Sequence, residues 1–224
     1  MKRRAWFGLS GALLLAGCIS SPSQLAKTDI DRIADLHRRE LRSGLLRLAD
    51  KLYKRNPREW KKGGHASREA ALAQLAAMSP PAPGTARGSA LVLAGLREDY
   101  LQDRVAAFIG GLLQMIGDAF DGKTEFFVLD DLDAQKLYNA ARNLELAAWK
   151  LANARRTLPE GDIPVGAPLL FSNEMAPVPN LSFEREFGRL IGSLDLLSQI
   201  IADKTNRTVV KVVQNLASAV FLPI

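Results

Sequence analysis

Cysteine is almost absent from this chain. Cys18 is the one cysteine in 224 residues, so no disulfide can form within it and the fold must rest on apolar packing. Histidine is scarce too, with only His37 and His65. Structural zinc takes four ligands drawn from Cys, His and carboxylates. His65 follows Gly63-Gly64 and has no partner motif, so neither a metal nor another cofactor is expected. Motifs for nucleophilic catalysis are also missing: there is no Gly-x-Ser-x-Gly elbow and no Ser-x-x-Lys at a helix start. Asp130-Asp131-Leu132-Asp133 lacks the glycine and distal glutamate of an EF-hand loop and reads as a helix start. The expectation is a protein that is not an enzyme. Long hydrophobic runs are lacking beyond the N-terminus. The longest, Val105 to Ile116, is apolar or glycine except for Gln114. It falls short of the roughly 20 residues of a membrane span and suits a buried helix.

What is present begins with the first eighteen residues. Met1-Lys2-Arg3-Arg4 is basic, Ala5 to Ala16 is a short apolar stretch, and Leu15-Ala16-Gly17-Cys18 closes it. A charged start, apolar middle and small-residue end form the layout of a cleaved secretory signal. The closing tetrapeptide resembles the lipobox of bacterial lipoproteins. That resemblance implies cleavage before Cys18, thioether lipidation of Cys18 and an acylated, palmitate-type N-terminus. Ile19 follows the cysteine where a sorting Asp would favour the inner membrane, so the resemblance implies an outer-membrane anchor facing the periplasm. Several acyl chains make such an anchor stable. The expected division is a signal peptide over 1–17, a lipidated tether over 18–27 and a helical domain over 28–224.

The formal charge of +6 includes Lys2, Arg3 and Arg4 of the signal. Without them 27 basic residues face 24 acidic ones, a net of +3. Residues 31 to 62 hold eleven Lys or Arg against five Asp or Glu. In a cytosolic protein such a segment would raise nucleic acid as a partner. Next to a lipid anchor the nearer partner is an anionic headgroup, worth about 1 kcal/mol per charge at the surface. Arg39 and Arg42 should point away from the core side of this helix and are the candidate membrane-facing residues.

The apolar pattern is helical throughout, and the fold class expected is all-α: one bundle of five to seven helices with a long proline-rich loop. Thr28 and Asp31 form a capping-box signal. Ile30, Ile33, Ala34, Leu41, Leu45, Leu48 and Leu52 then keep to one face. His37 falls within that stripe: it either faces a pocket as a tuned group or packs with its nitrogens satisfied, and the packed state is expected. Asn56-Pro57 restarts the chain as cap and first helical residue, and Ser67 can cap a helix to Met78. Ser79 to Gly88 is linker-like. One long helix is expected from about Ala90 to Ala119, and another from Asp130 to Arg156. In the latter Leu137, Ala141, Leu144, Ala148 and Leu151 form a narrow seam. Thr157 to Asn180 carries five of eleven prolines, and a loop that long is functional or disordered. Phe183, Phe187, Leu190, Ile191, Leu194, Leu197 and Ile201 mark a further helix. Gly188 and Gly192 within it suggest close packing of two soluble helices. Val209, Val212, Val213, Leu216, Ala217 and Val220 have helical spacing despite their strand preference, so a last helix is expected over Asn206 to Phe221.

Two features are candidate partner-binding surfaces. Tyr138 and Trp149 share a helical face away from the seam; exposed, they would mark a binding surface, while in a central helix they would be buried. Leu169-Leu170-Phe171, in the proline-rich loop, either cover the core or meet a partner. The expected function is a non-enzymatic cell-envelope lipoprotein that binds another envelope protein or supports an assembly. The alternative is a bundle holding an apolar ligand such as lipid, with Phe108, Met115 and Phe120 lining the cavity.

Overall fold

Helix α1 opens where the capping box predicts. In the computed structural model, which describes residues 27–78, 85–128, 130–157 and 166–224, α1 runs Asp29–Arg55. The Thr28 hydroxyl accepts from the Asp31 amide at 3.2 Å, and Asp31 accepts from the Thr28 amide at 2.7 Å. Leu41, Leu45, Leu48 and Leu52 are fully buried, while Ile30 and Ile33 are partly buried against the same core. Short helices α2 (Pro57–Lys62) and α3 (Arg68–Ala76) follow. Ser67 caps α3 by accepting from the Ala70 amide at 3.1 Å. Asn56 does not cap α2 with its side chain. Its amide reaches instead to the Leu52 carbonyl at 2.8 Å and to both main-chain groups of Phe171.

The single helix expected over 90–119 is two. Helix α4 spans Gly88–Gly95 and α5 spans Arg104–Ala119, folded against each other as a hairpin. The apolar stripe continues in phase across the break, which hides it from periodicity. Local chemistry makes the break. Asp103 caps α5 by accepting from the Ala106 amide at 2.9 Å. The buried Arg104 guanidinium donates to the carbonyls of Gly95 (2.9 Å), Glu98 (3.0 Å) and Arg97, satisfying groups that a helix end leaves open. Leu101, expected in the stripe, is 84% exposed. The hairpin closes at Gly111, where an added Cβ would lie 2.5 Å from the Gly88 carbonyl oxygen.

Helix α6 (Ala134–Asn153) starts and ends a few residues inside the expected limits. Asp133 provides its cap, accepting from the Gln135 amide at 2.8 Å. The whole seam from Leu137 to Leu151 is buried. Helix α7 (Ser182–Thr205) lies along α6 and also touches α1. Of its stripe, Ile191 is partly buried and the rest is core. Gly188 and Gly192 do not mediate close packing: both are exposed, and a Cβ at either would meet open space.

Seven helices and no strand are found among the described residues; the chain is an all-α fold around one core. Four fully buried leucines on α1 alone contribute about 1.5–3 kcal/mol each, which is how the fold stands without a disulfide. The helix expected over 206–221 is not formed. That segment is irregular and extended, with one turn near Asn215 to Ser218.

Candidate functional site

The departure at the C-terminus creates the most distinctive surface of the molecule. Helix α7 ends at Asn206, which adopts left-handed φ 50 and ψ 40, a conformation Asn tolerates better than most residues. The chain then runs back over α6 instead of continuing as a helix. Thr208, Val209, Val210, Val212 and Val213 are β-branched and stiff at χ1, a modest penalty for helix. The larger reason is what α6 offers.

Gln135, Tyr138, Asn139 and Asn143 occupy one side of α6 at spacings of three and four residues. The Gln135 amide accepts from the Val210 N–H at 2.8 Å and donates to its carbonyl at 3.1 Å. The Tyr138 hydroxyl accepts from the Val212 N–H at 3.1 Å and donates to its carbonyl at 3.3 Å. Asn143 accepts from the Leu222 N–H at 2.7 Å and donates to its carbonyl at 2.9 Å. Asn139 donates to the Pro223 carbonyl at 2.8 Å and accepts from Gln135 at 2.9 Å. A helix thus presents a rail of side chains that engages an extended main chain as a neighbouring strand would. Asn143 is 1% exposed and Asn139 is 8% exposed. Buried amides of this kind require partners, and the C-terminal segment supplies them. Val209, Phe221 and Ile224 pack partly against the core, while Val210, Val213 and Val220 point to solvent.

Arg142 holds Tyr138 in place. Its guanidinium lies 5.2 Å from the Tyr138 ring centre and pairs with Asp195 at 2.6 Å and Glu145 at 3.2 Å. A cavity of about 620 Å3 opens beside it, between Tyr138, Asp195, Gln199, Asp203, Thr208 and Lys211. A smaller one of about 280 Å3 runs under the C-terminal segment, along Glu145, Leu146, Val212 and Val220.

Of the residues singled out in the sequence, Tyr138 therefore belongs to this surface, covered by the chain's own C-terminus. Trp149 is half-buried farther along α6. Leu169 and Leu170 are buried, and Leu170 belongs to the core. The Leu169 N–H pairs with the Ala154 carbonyl at 3.0 Å, so this part of the loop seals the end of α6 and only Phe171, 50% exposed, faces solvent. Arg39 is exposed. Arg42 turns instead toward α3 and donates to the Ala76 carbonyl. His37 is half-buried, with Nδ1 2.8 Å from the Ser193 hydroxyl on α7. Cys18, the signal and the tether up to residue 26 lie outside the described residues, as do 79–84 and 158–165 of the two proline-bearing loops and Leu129. Phe108, Met115 and Phe120, which would line the cavity in the ligand-binding alternative, are packed in the core.

A buried polar cluster went unseen in the sequence. The Tyr53 hydroxyl donates to Asp103 at 2.8 Å, and Glu59 accepts from the Arg104 N–H at 2.8 Å. Burial pushes both the Asp103 carboxyl and the Tyr53 hydroxyl up from their ordinary values. These contacts lock α1 and α2 onto the start of α5. Among the described residues, no group of three or more His, Cys, Asp or Glu is placed to hold a metal, and no helix is long and apolar enough to cross a membrane. The chain matches no protein-family model, and comparisons with curated proteins and with solved structures give no match.

Proposed function

We propose that this chain is a lipid-anchored lipoprotein of the outer membrane, facing the periplasm, that serves as a non-enzymatic protein-binding or assembly component of the envelope. The address rests on the signal layout and on Cys18. Arg39, exposed on α1 a short tether away, adds charge toward anionic headgroups. The observation that carries protein binding is the α6 rail. Gln135, Tyr138 and Asn143 each hold both main-chain groups of one residue of an extended segment. Main-chain pairing is the chemistry by which sheet edges capture peptides, and here a helix provides it. A partner's extended segment takes the place of the C-terminal residues or pairs beside them.

Two measurements test the two halves. Labelled fatty acid should enter the wild-type protein in cells and not Cys18→Ser; label in the variant removes the anchor. Crosslinking in intact cells followed by pull-down should recover a stoichiometric envelope protein. Recovery of lipid alone would favour an apolar-ligand carrier instead.

A further inference from the structure

Four guanidinium Nε atoms are buried without a hydrogen-bond partner: those of Arg38, Arg55, Arg68 and Arg142. Three of these side chains meet a carboxylate, Arg55 with Glu174 at 2.8 Å, Arg142 with Asp195 at 2.6 Å, and Arg68 with Glu69 at 2.7 Å and, from its Nε, with Asp50 at 3.1 Å. Arg38 meets none. It is half-buried on α1, and one turn further along stands Arg42, whose contact is the Ala76 carbonyl and not an acid. Burial first, and then Arg42, hold the Arg38 guanidinium below its ordinary value.

Both arginines line a cavity of about 420 Å3 between α1 and α5, closed by Met78 and by Arg87 at the cap of α4. Its third cation, Arg87, is already neutralised by Asp118 through contacts of 2.7 and 2.9 Å. Leu113 and Met78 give the cavity an apolar wall. Asp35 opposes the lowering of Arg38 only as the smallest of the three effects and is itself paired with Lys27. Two like charges with no carboxylate in contact are costly in a part-buried site, and a bound anion removes the cost. The cavity has the size of small-molecule sites, whose typical form is an apolar wall with few polar groups.

We propose that this cavity binds an organic phosphate, the phosphate oxygens on Arg38 and Arg42 and the organic part against Leu113 and Met78. The planar fork of a guanidinium matches phosphate geometry. The inference does not depend on the α6 rail. A lipid headgroup and a free organic phosphate share this chemistry.

Calorimetric titration of the purified full chain in non-ionic detergent tests it, with three probes: soluble short-chain phosphatidylglycerol, inorganic phosphate, and short-chain phosphatidylcholine as the zwitterionic control. Phosphatidylglycerol should bind in preference to phosphatidylcholine. Arg38→Gln should weaken it about tenfold, the loss of one charge-assisted contact, without lowering the melting temperature of the unliganded chain, since Arg38 has no partner to lose. Leu113→Ser should weaken phosphatidylglycerol and spare inorganic phosphate, which has no organic part to lose. In the wild type, tighter binding of phosphatidylglycerol than of inorganic phosphate marks a headgroup as the source, and the reverse a free phosphate. Absence of binding by both anionic probes, or an affinity unchanged in Arg38→Gln, overturns the site.

Discussion

Asp103 does three jobs with one carboxylate. It caps α5 through the Ala106 amide, accepts from Tyr53, and sits 4% exposed in the core. Burial dominates these effects and raises its pKa from the ordinary 3.8. Between that value and the higher folded-state value, the native chain binds more protons than the unfolded one. The Asp103 contribution to stability therefore falls as pH rises through this window. Asn is as good a cap as Asp and does not titrate. Denaturant unfolding of wild type and Asp103→Asn should show a difference that grows in favour of the variant as pH rises from below 3.8 and then levels off. A difference that is flat with pH would mean that Asp103 keeps its ordinary pKa in the fold. The rail residues show the same economy: at Asn143 one amide satisfies two main-chain groups of Leu222. Leaving such a buried amide unpaired costs about 1–3 kcal/mol.

At the scale of elements, the α4–α5 hairpin depends on backbone contact. An alanine at Gly111 would place its Cβ 2.5 Å from the Gly88 carbonyl oxygen and 2.9 Å from the Val92 nitrogen, and main-chain atoms cannot rotate aside. Gly111→Ala should lower stability by roughly 1–3 kcal/mol, the usual cost of overpacking, measured by the urea midpoint at unchanged slope. Gly188→Ala, at an exposed helical position with open space, should instead be neutral or slightly stabilising. This contrast also shows what the sequence could and could not reveal. The stripes of α1, α6 and α7 were legible because burial of one face leaves a period of 3.6 in the residues. The hairpin was not, because the stripe runs through it in phase and the turn is marked by the Asp103 cap and the reach of Arg104 to carbonyls of the turn, contacts that only the fold brings together. The C-terminal segment carries a helical period as well, yet its conformation is decided by side chains on α6, far away in sequence. Tyr138 could be found as an aromatic off the seam. Gln135, Asn139 and Asn143 could not, since polar residues on a helix ordinarily face water. Their one signal is the repeated spacing of four among three amides beside a buried seam.

At the scale of the whole molecule, the seven helices among the described residues form a packed body, and the C-terminal segment is laid on from outside. A net hydrogen bond contributes about 0.5–1.5 kcal/mol, while fixing each residue costs about 1–2 kcal/mol of backbone entropy. An extended segment held by side-chain amides and by the packing of Val209, Phe221 and Ile224 can open without unfolding the helices beneath it. That balance fits the proposed role, in which the rail recognises an extended chain, its own or a partner's. Site-specific photocrosslinking in intact cells tests this most directly. The probe goes at Val213, which is 98% exposed beside the rail, with exposed Leu36 on α1 as the control. The account predicts a discrete protein adduct at Val213, absent at Leu36, whose yield changes when Gln135 and Asn143 are replaced by Ala. Equal adducts from both positions, or a Val213 adduct indifferent to the rail, would contradict it.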